Sequence, residues 1–236
     1  MKGGVERADR VAPERTPFPQ KEESMSLKSP VGNMARNYAS IQKSLPGIEM
    51  DPRIWGSKAL DFLSAMAEAG PLFRQSAAYI LEQEIRMYIT KEARGVGAGW
   101  HEDLSGRRWI SIDKSFGFVD SIIALGHEAH HLQQTIRVRC SVEGEYSAWR
   151  LGFKLRGELS SPGGAVPLTA DEQTLAGMPD SPTREDLRAA QILMQKMAGP
   201  DYLIGKAPLQ GKDWQTAPIS FFVRIMNSLA GRGDPI

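Results

Sequence analysis

Phe118, Ile122, Leu125, Ala129, Leu132 and Ile136 fall four, three, four, three and four residues apart. At about 100° per residue this spacing puts all six on one narrow stripe, so the segment Phe118 to Ile136 reads as an amphipathic helix with that stripe toward a core. The other side of the helix carries histidines. His127 and His131 form an i, i+4 pair that points roughly opposite to the stripe, one ring a turn above the other. Three of the chain's four histidines, His127, His130 and His131, lie in the single run LGHEAHH.

Two imidazoles a turn apart can hold one metal ion from one side. Glu128 projects about 100° around the helix from His127, too far round to ligate the same ion but close enough to touch a water on it. This is the arrangement of H-E-x-x-H, in which the glutamate is a general base. A zinc site of this kind needs a third protein ligand and one open position. A second helix, from about Val142 to Leu155, supplies the candidates. With the chain reversing near residue 138, His131 and Glu145 stand equally far from the turn, about 10 Å along antiparallel helices. Glu145 shares its side with Ala148, Trp149 and Gly152, two of them small enough for close approach. Glu143 faces nearly the other way and is the fallback. Of the remaining polar residues, His130 is expected beside the site rather than on the ion, and Cys140 is expected to pack. Gly126, costly inside a helix, implies a closely packed neighbour.

The rest of the chain predicts an α+β fold. Residues 1–30 mix charge with Pro, Gly and Ser without any period and are expected as a disordered tail. Ala59, Phe62, Leu63, Met66 and Ala67 recur at helical spacing, Gly70-Pro71 interrupts them, and a second helix runs through Leu81. These two helices are expected to precede the sheet. Ile85, Met87 and Ile89 then alternate as a strand does, and Ser105-Gly106 offers a hairpin turn between GAGWHED and RRWISID, so a small antiparallel sheet of two or three strands is expected. His101, in that hairpin, is expected to be solvated. SSPGGAVP reads as a linker. Ser181 and Pro182, as N-cap and first helical residue, open a helix that Gly199-Pro200 ends. The apolar face of PISFFVRIMNSLAG is expected to dock on the core or on a partner. We divide the chain into the tail, a main domain over 31–158 and a C-terminal helical extension over 159–236 packed on the same domain.

The charges nearly cancel, 29 basic against 28 acidic. The overall field therefore favours neither nucleic acid nor an anionic membrane as partner. No apolar run is long enough to span a bilayer and no leader pattern opens the chain. With Cys140 as the only cysteine, no intrachain disulfide can form, and the expected compartment is the cytoplasm.

LGHEAHH, a glutamate on the following helix and a hairpin ending in RRWISID just before resemble the gluzincin group of zinc metallopeptidases, in particular its minimal single-domain members. The likeness covers roughly residues 70–157. It implies a zincin-like fold, with the small sheet packed on the histidine helix and the adjacent glutamate helix and with additional C-terminal helices. It also implies Zn2+ held by His127, His131 and Glu145, and Glu128 as base and proton shuttle on a peptide or protein substrate. By the same resemblance the strand Trp109 to Asp113 would be the rim along which an extended substrate adds. Two features depart from it. Trp149 stands four residues after the third ligand, where larger gluzincins carry an acid that orients a histidine, and the oxyanion-stabilising group is open among Tyr146, Arg150, His101 and Tyr202. A four-helix di-iron site is excluded on ligand count, since Glu145-Tyr146-Ser147-Ala148 does not repeat the E-x-x-H of Glu128 to His131. The remaining alternative is a catalytically inactive zincin-fold module that binds protein or fastens two helices.

Overall fold

The computed structural model describes residues 34–48, 55–90, 97–103, 105–159, 167–199 and 202–216. Three helices lead into the sheet: α1 (Met34–Ser44), α2 (Ser57–Ala69) and α3 (Pro71–Glu82). The sequence pattern marks the last two, broken at Gly70 where expected, whereas α1 is an addition to it. Ile41 and Leu45 bury α1 against the core, and its polar side is tied to α2 by Asn37 donating to Asp61 and Ser40 to Glu68. The Glu158 carboxylate accepts from the backbone N–H groups of Leu72 and Phe73, satisfying donors that the start of α3 would otherwise leave orphaned.

Strands β1 (Arg86–Thr90), β2 (Ala98–Glu102) and β3 (Arg108–Asp113) form a mixed sheet in the order β1-β3-β2. β2 and β3 make the expected antiparallel hairpin, with Gly106 at φ +78° and the Asp103 carboxylate accepting from the N–H groups of Ser105 and Arg107. β1, however, pairs with β3 in parallel, Met87 opposite Ile110 and Ile89 opposite Ile112. An all-antiparallel sheet is therefore corrected. β2, the next strand in sequence, lies on the far side of β3, and side-chain alternation is the same for either strand direction.

The same order corrects the expected substrate rim. Trp109 to Asp113 lies in β3, the central strand, bonded on both sides; the edge strands are β1 and β2, and β2 is the edge strand of the hairpin. The bonds Asp113 N to Gly97 O and Asp103 N to Arg107 O turn the main-chain groups of odd-numbered residues toward β3. Those of Ala98, Trp100 and Glu102 consequently face outward. His101 is not solvated. Half-buried in β2, its Nε2 lies 2.8 Å from Ser111 Oγ and its ring stacks on Trp109.

Helix α4 (Phe118–Gln133) lies across the sheet, a single turn α5 (Ile136–Arg139) reverses the chain, and α6 (Val142–Glu158) returns along α4. Ile122, Leu125, Ala129 and Leu132 are buried as the stripe requires. Ile136 is 42% exposed, because α4 ends before it and it begins α5 instead. Gly126 permits the approach of α6: a Cβ there would stand 2.4 Å from Leu155 Cδ1.

Helices α7 (Ala170–Ala176) and α8 (Arg184–Ala198) and two 3-10 turns, Leu203–Lys206 and Gly211–Thr216, complete the described residues. Both helices begin with capping boxes, Thr169 with Glu172 and Thr183 with Asp186. The cap of α8 is thus Thr183, whose hydroxyl reaches the N–H at the third helical position, and not Ser181, two residues short of it. Leu175, Leu187, Ala190 and Met194 pack with Val142 and Tyr146 of α6 as a second core cluster beside the main one. The N-terminal tail, most of the linker and the final apolar stretch fall outside the described residues. Among the described residues no helix is long and apolar enough to cross a membrane.

Candidate metal centre

The contacts between α4 and α6 run antiparallel, Gln134 meeting Gly144, His131 meeting Glu145, and Gly126 lying under Leu155. Ser141 caps α6, its hydroxyl accepting from the Gly144 N–H. The next orphan donors, on Val142 and Glu143, bond to the carbonyls of Pro208 and Leu209. The first turn of α6 is thereby fixed from both ends, and Glu145 is carried on it.

His127, His131 and Glu145 converge. Their Nε2 atoms stand 3.2 Å apart, and Glu145 Oε2 lies 3.5 Å from His131 Nε2 and 3.8 Å from His127 Nε2. A tetrahedral ion bonded at about 2.0–2.1 Å sets its donors about 3.3–3.4 Å apart, so two edges of the triangle are near that spacing and the third, between His127 and Glu145, would close by a few tenths of an ångström around an ion. It is the cluster among the described residues whose donor atoms meet this way. His131 is 1% exposed, while the His127 and Glu145 side chains keep about a fifth of their surface, which leaves the approach open on their side. Burial alone would raise the Glu145 pKa, but the imidazoles of His131 and His127 hold it well below the usual carboxylate range. Glu143 stands outside this triangle. Its carboxylate accepts from the Gly211 N–H, on the side of α6 away from the histidines.

Glu128 sits beside the triangle without joining it. Its Oε1 is 4.0 Å from His127 Nε2, and it accepts from the outward Trp100 N–H of β2. Burial raises its pKa to about 7; the Glu145 charge adds to that, and His127 and the Trp100 N–H oppose it. His130 turns toward α6, its Nε2 2.8 Å from Ser147 Oγ, and does not ligate. Cys140 is buried and free, and burial pushes its thiol up to about 12, as suits a packing residue.

Of the four side chains left open for polarising a substrate, the structure brings one to the site. The Tyr202 phenol donates to Glu145 Oε2 at 2.5 Å and accepts from Trp149 Nε1 at 3.4 Å. Burial, with the Glu145 charge, raises its pKa well above the phenol range. Tyr146 is spent on the Pro179 carbonyl, Arg150 pairs with Asp180, and His101 belongs to the sheet. The Trp149 ring meets His127 edge-on at 6.5 Å and so forms an apolar wall beside it. Sequence periodicity carries no signal for Tyr202, which lies 57 residues beyond its partner.

Comparison of the chain with protein-family models, with curated proteins and with solved structures finds no match to any of them.

Proposed function

We propose that the protein is a zinc-dependent hydrolase of gluzincin type that cleaves peptide bonds, with His127, His131 and Glu145 holding the ion and Glu128 as general base. The observation that carries this is the Nε2, Nε2, Oε2 triangle with a buried, non-ligating carboxylate next to it. A purely structural site has no use for such a carboxylate. Zinc, when bound, supplies a Lewis acid for the substrate carbonyl and lowers the pKa of a water. Glu128, whose pKa burial raises to about 7, would hold on Oε1 the proton that an attacking water gives up and pass it to the leaving amine. With the Trp100 N–H given to Glu128, the outward main-chain groups of Ala98 and Glu102 would be those of β2 along which an extended substrate could pair.

Tyr202 stands beside the triangle and would serve the carbonyl oxygen, as it gains charge, by turning its single O–H to it from Glu145 Oε2. Tyr202→Phe is expected to keep its metal and lose about a hundredfold in kcat, with KM little changed, read by single-turnover and steady-state assays side by side. Equal kcat for the two proteins would remove Tyr202 from the reaction.

The test of the whole reading is metal removal. Purified protein should hydrolyse an unfolded polypeptide such as reduced, carboxymethylated casein. Chelation should abolish cleavage and one equivalent of zinc restore it. Cleavage that survives complete chelation would sink the proposal, and stoichiometric zinc without cleavage would make the ion a fastener of α4 to α6.

A further inference from the structure

We propose that Gln134 is the positioning residue of this ion site: its side-chain amide holds His131 with the proton on Nδ1 and ties that ring to α6 through Ser147. The inference rests on the metal-centre reading above. Gln134 is the residue just past α4, in extended conformation, and its Oε1 lies 3.3 Å from His131 Nδ1. That nitrogen is the one opposite the Nε2 that faces His127 and Glu145. A carbonyl oxygen has no proton to give, so the contact requires N–H at Nδ1 and leaves the Nε2 lone pair for an ion.

The orientation of the amide follows from its other end. Gln134 Nε2 donates to the Gly144 carbonyl at 3.3 Å and to Ser147 Oγ at 2.8 Å. A main-chain carbonyl can only accept, so the NH2 group must face Gly144 and the oxygen must face His131. Ser147 Oγ also donates to the Gly144 carbonyl at 3.1 Å and meets His130 Nε2 at 2.8 Å, which joins both helices around the amide. Space for this exists because residue 144 has no side chain. A Cβ there would stand 2.9 Å from Gln134 Oε1 and 2.1 Å from the Val138 carbonyl oxygen. With an indole at residue 149, the acceptor that orients a ligand histidine comes from the end of the histidine helix itself, and it serves His131.

Two measurements test this. In the metal-free wild type, ¹⁵N spectra of labelled histidine taken with the ring neutral should show His131 as the Nδ1–H tautomer; a neutral ring with its proton on Nε2 overturns the assignment with no variant needed. Zinc affinity by competition with a chromogenic chelator should fall about 10–100-fold in Gln134→Leu. Gln134→Glu, which keeps an acceptor at Nδ1, should recover most of that loss, whereas a residue needed only for packing would not be rescued. Wild-type affinity in Gln134→Leu overturns the assignment and leaves the metal centre standing. A wild type that binds no zinc overturns the metal-centre reading, and the tautomer spectrum then decides the role of Gln134 by itself.

Discussion

Alanine in place of His131 or Glu145 is expected to weaken zinc binding by about a hundredfold to a thousandfold. Apparent free energies of about 10–16 kcal/mol for tetrahedral protein sites, spread over four positions, assign about 2.5–4 kcal/mol to each ligand. The two variants should differ in what else they lose. His131 is fully buried, so its removal also leaves a cavity between the sheet and α6. Loss of Glu145 strips the Tyr202 phenol of its acceptor and costs the contact between α6 and the segment that carries Tyr202. Glu143→Ala is the control, since that carboxylate faces Gly211, and it should retain one zinc per chain. Metal content measured after gel filtration in buffer treated with chelating resin reads all three. A Glu145→Ala protein that leaves the column with stoichiometric zinc would refute the assigned ligand set.

Glu128→Gln is expected to separate function from stability. Hydrolysis should drop about 10²–10⁴-fold with zinc retained, because the amide cannot accept the proton while the three ligands are untouched. The metal-free variant should at the same time be the more stable protein at neutral and alkaline pH. The Glu128 pKa stands at about 7 against an ordinary value of 4.5, so between those limits the folded state holds a proton that the unfolded state has lost. Wild-type stability therefore falls as pH rises from about 4.5 through 7, by up to about 3 kcal/mol, and the full penalty persists above that range. Glutamine has no such penalty. Urea midpoints of the two metal-free proteins should coincide near pH 4 and diverge toward pH 8, with the variant higher. Parallel curves across that range would mean that Glu128 titrates normally and is not tuned by its surroundings.

The His127, His131 and Glu145 cluster was legible because both of its determinants are local. Helical periodicity places the histidines relative to the stripe, and a short reversal sets the register of the next helix. That the reversal is a helical turn, with Ile136 exposed on it, shifts the geometry by less than the reach of a glutamate side chain. The direction of β1 was not legible, since a parallel and an antiparallel strand bury the same alternate residues. The rim was misplaced for a related reason: which of two hairpin strands lies at the edge depends on where β1 docks, a contact made across the intervening strand. Gly144 shows a further limit. Ala148 and Gly152 suggest close helix approach from their size, yet a Cβ on Gly152 would meet His127 Nδ1 only at 4.0 Å. On α6 the glycine that the structure needs is the one under the turn, where the neighbour is a main-chain carbonyl that no side-chain pattern reveals. Tyr202 was one of four candidates of equal standing until the fold chose among them.

The two hydrophobic clusters share α6 and are bridged where the ion would sit. The histidines stand on the helix that lines the larger cluster; Glu145 and Tyr202 belong to the side that packs with α8. A ligand gripping both sides adds RT ln(1 + [L]/Kd) to their joint stability, about 4 kcal/mol at a thousandfold excess over Kd. On the proposed reading, supply of the ion would then govern how firmly the C-terminal helices stay seated, and a shortage of it would first expose this protein to proteolysis.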